Sequence, residues 1–247
     1  MDIITDPRIV NAVRAYVESS AWYTYVQQVL ERTDKPAYLW GGAVRDPLLK
    51  LLIGLEKEKG DVDMVLDISL EEAEAITATL SPKTTNRFHT VKWLPEPELE
   101  IDISCFLNGN RVRYEGVAPT LEHAVTGCDL RTSALAYNLR HPAVYSDGAV
   151  QAIQERTTGI HYERSEPLPI LMTRVVLHAE YLQFAIDPAT QRFIRQHYNP
   201  EQDIVIRNYL RYKRKESLYN LVIATLQSIA QTQKPQRACT SKIIFQS

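Results

Sequence analysis

Residues 60–68, GDVDMVLDI, alternate polar and apolar with a period of two. That spacing puts Asp61, Asp63, Val65 and Asp67 on one side of a strand and Val62, Met64, Leu66 and Ile68 on the other. A chain with this segment must bury one face of a strand and leave carboxylates on the other. Upstream, AYLW (37–40) reads as a short buried strand, Gly41-Gly42 breaks it, and AVRDPLLKLLIGL resumes a helical spacing. Pro47 is expected near the first helical turn, where a missing N–H costs little. The local unit is strand, glycine turn, helix, strand.

The flanking sequence extends this unit into a mixed sheet with helices. An N-terminal helix is expected over about 6–32, from Ile9, Val13, Tyr16 and Val17 after an Asp-Pro start. Ser69 with Glu72 three residues on makes a capping box before another helix. HTVKWL and ELEIDISCF read as two further strands, the second with Leu99, Ile101, Ile103 and Cys105 inward and Glu98, Glu100, Asp102 and Ser104 on its polar face. After YSDGAV the pattern turns helical: PILMTRVVLHAEYLQF, PATQRFIRQHY, EQDIVIRNYLRYKRK and SLYNLVIATLQSIAQ. The expectation is an α+β segment over 1–150, an all-α segment over 151–232 and a tail over 233–247 that lacks helical periodicity.

The 247 residues suffice for a packed core, and a net charge of −2 does not advertise a polyanion partner. A local patch can still supply one. Arg207, Arg211, Lys213, Arg214 and Lys215 interleave with Tyr209, Tyr212 and Tyr219, a pattern that suits either RNA or the solvated face of a helix. Cys105, Cys128 and Cys239 are far apart and the six histidines are dispersed, which argues against a disulfide framework or a zinc site. No apolar run reaches the ~18 residues that a membrane span needs, and the N-terminus carries no signal-type core, so a cytoplasmic protein is expected.

Two carboxylates at i and i+2 of a strand can grip shared metal ions, and Asp61 and Asp63 have that spacing. Alone, such a pair more often marks the exposed side of an edge strand. Gly41-Gly42 changes the balance, because backbone amides at a helix N-terminus can approach a phosphate closely. Asp102 would complete the carboxylate set if its strand lies beside the first with matching faces.

GGAVRDPLL followed by GDVDMVL resembles the first motif of the class II nucleotidyltransferases, the bacterial tRNA CCA-adding enzymes and poly(A) polymerases. RFHTVKW, EIDISCF, PTLEHAVTGCDLRTSALAYNL, YSDGAVQAI and RVVLHAEYLQFAIDPATQRFI resemble that family's later motifs in the same order, over roughly 20–200. The resemblance implies a DNA polymerase β-like head with a mixed β-sheet flanked by helices, followed by an all-α neck. It implies Asp61, Asp63 and Asp102 as catalytic ligands of two Mg²⁺ ions, with Gly41, Gly42 and Arg45 at a nucleoside triphosphate. Asp46 would buttress the turn, Asp129 would take a ribose hydroxyl, and Ser133 and Arg174 would flank the nucleotide. Tyr137 and Asn138 are expected to belong to the helix that follows the ribose contact.

Several family positions have changed. Gly127 and Cys128 replace two arginines, Ser133 an asparagine, Ala124 an acid and Leu107 an arginine, and no EDxxR spacing survives in RSEPLPILMTR. Cys128 reads as a small packing residue and Trp40 as a core residue or a base-stacking one. The helical part is also shorter than the tRNA-gripping body of the family. The metal centre is retained on this reading, and the base-selecting apparatus is rewritten. Three functions follow: nucleotidyl transfer to an RNA 3′ end, transfer to a protein or small molecule, or a catalytically inactive RNA-binding or regulatory homologue.

Overall fold

The computed structural model describes residues 1–57, 61–86 and 89–232; the expected tail and Cys239 lie outside them. Eight strands form one mixed sheet: β1 (Asp2–Ile4), β2 (Ala37–Trp40), β3 (Val62–Leu66), β4 (Lys83–Thr85), β5 (Val91–Glu96), β6 (Leu99–Cys105), β7 (Leu135–Asn138) and β8 (Ala143–Ser146). Their order is β1-β8-β7-β2-β3-β6-β5-β4. β3 and β6 are parallel, and β2, β7 and β5 run antiparallel to their neighbours. The apolar sides of β3 and β6 enter the core through Val62, Met64, Leu66, Ile101, Ile103 and Cys105, as the alternation requires.

Helices α1 (Pro7–Ser19), α2 (Tyr23–Leu30), α3 (Gly42–Ile53), α4 (Leu70–Thr77), α5 (Asn110–Glu115), α6 (Leu121–Thr126) and α7 (Ala149–Gln154) flank the sheet. The expected N-terminal helix is two helices, because Ser20 breaks α1: its backbone is extended and its hydroxyl donates to the Tyr16 carbonyl at 2.7 Å. The Ser69/Glu72 capping box forms as expected, with both reciprocal hydrogen bonds. Pro47 is the sixth residue of α3, a turn further in than the first-turn placement expected from sequence. Tyr137 and Asn138 belong to strand β7 and not to a helix. The run 134–138 is buried throughout, so both faces of β7 are covered and its side chains show no alternation.

Beyond residue 156, a parallel pair β9 (Thr157–Thr158) and β10 (Ala185–Ile186) frames α8 (Leu168–Leu182), and α9 (Pro188–His197), α10 (Asp203–Tyr212) and α11 (Tyr219–Gln231) follow. α8, α9, α10 and α11 pack on one another around Leu171, Met172, Val175, Ile194, Ile206, Leu210, Val222 and Leu226. The sheet and the helices share residues. Leu130 and Ile160 belong to the helical core, whereas Leu182 and Phe184 at the end of α8 belong to the sheet's core. This interlocking sets α8 beside the polar face of β3.

Candidate active site

Of the three carboxylates expected from the alternation, the sheet brings two together. Asp63 pairs in register with Asp102 on the adjacent parallel strand, and both line a cleft of about 470 Å³ on the polar face of β3 and β6. Val65 and Ser104, two residues on, line the same wall. Asp61 precedes β3 and opens instead on a second cleft of about 630 Å³. The two clefts share Gly42, Arg45, Asp63, Leu130, Arg174 and His178, so Asp63 stands where they meet.

The electrostatics are those of crowded acids. Burial, then the like charges of Asp102, Asp61 and Glu100, pushes Asp63 up to about 7 against the opposing pull of Arg45. Burial also raises Asp61 and Asp102, with Glu100 adding to both and Lys92 opposing. Lys92 is an addition that no motif predicted. It sits opposite Asp102 on β5, hydrogen-bonds Glu100 through Nζ, and lies 4.0 Å from Asp102 Oδ1. The alternation in HTVKWL could have found it, because Val91 and Trp93 are buried and Lys92 must therefore share the carboxylates' face.

Among the described residues, no three His, Cys, Asp or Glu side chains converge closely enough to hold one ion. The donor set nonetheless suits a hard divalent cation. Asp63 and Asp102 supply carboxylate oxygens from adjacent positions, and Asp102 Oδ1 is buried with no hydrogen-bond partner among the described residues.

The glycine turn closes the same space from the side. Gly41 adopts φ 54°, ψ −119°, and a Cβ there would meet Asp63 Oδ2 at 3.4 Å; only glycine takes this backbone comfortably. It caps the 12-residue helix α3, whose first turn contributes Gly42 and Arg45 to both clefts. Arg45 donates from Nε and from one terminal nitrogen to Asp46 Oδ1 at 2.9 and 2.6 Å, and both side chains are buried. Burial raises Asp46 despite this partner. The Arg45 guanidinium carbon also lies 5.6 Å from the centre of the Tyr181 ring.

The far wall comes from the segment before β7 and from α8. Asp129 is held by Arg174 at 2.5 Å, so neither side chain projects unpaired into the cleft. Ser133 lines the first cleft on a 3₁₀ turn. His178, absent from the expectations, lines both clefts and shares a 2.7 Å hydrogen bond with Thr132. Burial, then the charges of Arg45, Arg174 and Lys215, pushes its imidazole down to about 3 and keeps it neutral. Trp40 is half-buried and donates from Nε1 to Cys128 Sγ at 3.0 Å. Burial drives the Cys128 thiol up to about 12, as suits a packing residue and not a nucleophile. A Cβ on Gly127 would lie 2.8 Å from the His123 carbonyl oxygen, so the backbone here has closed to where only glycine fits.

The basic patch divides. Lys213 and Lys215 line the second cleft with Asp61, Tyr181 and Tyr209. Arg207 covers the Tyr219 ring at 4.3 Å, and Arg211 pairs with Glu216 at 3.1 Å. Arg214 occupies a left-handed turn at φ 54° and does not line either cleft.

No protein-family model matches the sequence, and no curated protein matches it significantly. Solved structures do match. A CCA-adding enzyme in complex with ATP superposes with a TM-score of 0.61 at 21% identity, over 91% of this chain and 52% of that one. The Thermotoga maritima CCA-adding enzyme complexed with tRNA gives 0.59 at 20% identity, again over 91% and 52%. A tRNA nucleotidyltransferase complexed with a primer tRNA and an incoming ATP analogue gives 0.59 at 19%, over 83% of this chain and 60% of that one. The chain thus has the fold of these proteins and spans about half to three-fifths of their length.

Proposed function

We propose that this chain is a metal-dependent nucleotidyltransferase that moves a nucleoside monophosphate from a nucleoside triphosphate to the 3′ end of an RNA. The observation that carries this reading is the in-register placement of Asp63 and Asp102 on parallel neighbours, beside a glycine-capped helix N-terminus in one cleft. The fold is shared with enzymes solved with ATP and with tRNA, which supports a triphosphate and an RNA as partners. Asp61, Asp63 and Asp102 would hold two Mg²⁺ ions, which when bound neutralise triphosphate charge and acidify an attacking hydroxyl.

The chain's own groups do the rest. Backbone amides at the start of α3 meet phosphate oxygens, helped by the positive end of the helix dipole. Arg45 adds positive charge beside them, fixed in place by Asp46. Asp102 Oδ1 helps take the proton of the acceptor hydroxyl, and pre-positioned charge stabilises what develops at the α-phosphate. Asp129, Ser133 and Arg174 wall in the nucleoside, while Lys213 and Lys215 meet the acceptor's phosphates beyond Asp61. In this reading 1–150 carries the chemistry and 151–232 closes over it.

A second reading, transfer to a protein or small-molecule acceptor, is favoured by the Arg174–Asp129 pair, which leaves no unpaired charge for reading a base edge or a ribose. Incubation with Mg²⁺, each labelled triphosphate and either total RNA or total protein distinguishes them. Label on RNA that disappears in Asp61→Ala/Asp63→Ala supports the first reading, and label on protein supports the second. No incorporation and no triphosphate binding would refute both.

A further inference from the structure

Lys92 stands in an unusual place for a lysine. Its strand neighbour across β5 and β6 is Asp102, its Nζ is tied to Glu100, and Asp102 Oδ1 is 4.0 Å away, too far for a hydrogen bond and close enough for a strong charge interaction. Its field also reaches Asp61. One ammonium therefore faces the acids proposed above as ion ligands, and it is the only Lys or Arg within 4.0 Å of Asp102 among the described residues. The tie to Glu100 holds the ammonium at the mouth of the site, with the Lys92 side chain 42% exposed and those of Glu100 and Asp102 25% and 28%.

We propose that Lys92 is a built-in competitor for the divalent ion: its ammonium partly neutralises Asp102 in the ion-free protein, and an arriving cation must take over that carboxylate against it. The inference rests on the ion-site reading above and concerns a different residue. A monovalent charge fixed beside a ligand repels a doubly charged ion twice as strongly as it repels a proton-sized unit charge, so its removal tightens ion binding. The strand register and the 4.0 Å approach place the ammonium nearest Asp102, so the effect is centred on the β6 carboxylate.

Calorimetric titration of chelator-treated protein with Mn²⁺ tests this without reference to activity. Lys92→Met is expected to lower the Kd for Mn²⁺ by about tenfold at low ionic strength, less at high salt, and Lys92→Arg to leave it near the wild-type value. Lys92→Gln provides a second neutral variant should Lys92→Met unfold, with thermal unfolding confirming the folded state of each. Equal or weaker Mn²⁺ binding by a folded neutral variant overturns the proposal while leaving the ion site standing. Absence of Mn²⁺ binding by wild type and variants alike overturns the ion site and the competitor together.

Discussion

A single methyl group at Gly159 should unlock the joint between β9 and α9. A Cβ built there would fall 1.7 Å from Asp187 Oδ2, 2.6 Å from Asp187 Cγ and 2.4 Å from Thr190 Oγ1. These atoms hold the start of α9: Asp187 caps it by accepting from the Thr190 amide at 2.8 Å, and the Thr190 hydroxyl accepts from the Ile160 amide at 2.8 Å. Gly159 itself accepts from the Arg131 amide at 2.9 Å, so its backbone cannot retreat without breaking a further bond. In Gly159→Ala, loss of the cap costs about 1 kcal/mol and the displaced packing about 1–3 more. Together that is roughly 2–4 kcal/mol, a fall in Tm of about 5–15 °C for a chain of this size. Differential scanning calorimetry checks it. Removing the obstructing carboxylate should return part of the loss, so Gly159→Ala in an Asp187→Gly background should cost at least about 1 kcal/mol less than alone. A Tm within 2 °C of wild type, or full additivity of the two substitutions, would refute the steric reasoning.

Three further outcomes are expected. His178 has a folded-state pKa pushed below its ordinary 6.5 to about 3, so the unfolded chain binds the proton first. Its contribution is present above about pH 6.5 and is lost as pH falls toward 3, at up to about 1.4 kcal/mol per pH unit; His178→Gln should flatten the urea-midpoint profile there, and an unchanged slope would exclude His178 as its source. Gln183 ends α8 in the left-handed region at φ 59°, where glycine carries no penalty, so Gln183→Gly should raise Tm by about 1–4 °C despite losing the bond from Nε2 to the Glu180 carbonyl; a lowered Tm would contradict this. Asp63→Asn and Asp102→Asn should each cut nucleotide incorporation at least about 100-fold while the protein stays folded by circular dichroism, and near-normal rates in either would remove the carboxylates from the chemistry.

What could be read from the sequence divides along physical lines. Period-two alternation reports burial on one face, and β3 and β6 are half-buried, so the sequence alone places Asp63 and Asp102 on the polar face. Their juxtaposition needed the parallel register of two segments about forty residues apart, which alternation cannot supply. β7 lost its signal for the opposite reason: enclosed on both faces, its LAYN run has no polar side to mark it as a strand. β1 and β4, three residues each, are too short to carry a pattern and exist because β8 and β5 offer open edges. At the site, the charge-handling wall is drawn from two neighbouring strands and one glycine turn, whose spacing is local. The opposing wall takes Asp129 from before β7, Arg174, His178 and Tyr181 from α8, Tyr209 from α10 and Lys213 from just after it. Their significance arises from contacts across the head and the helices, the Arg174–Asp129 pair above all, and these depend on how α8 is seated by Leu182 and Phe184 in the sheet's core. On the function proposed above, substitutions in that wall are expected to alter which base or acceptor fits, while β3 and β6 keep their carboxylates in place.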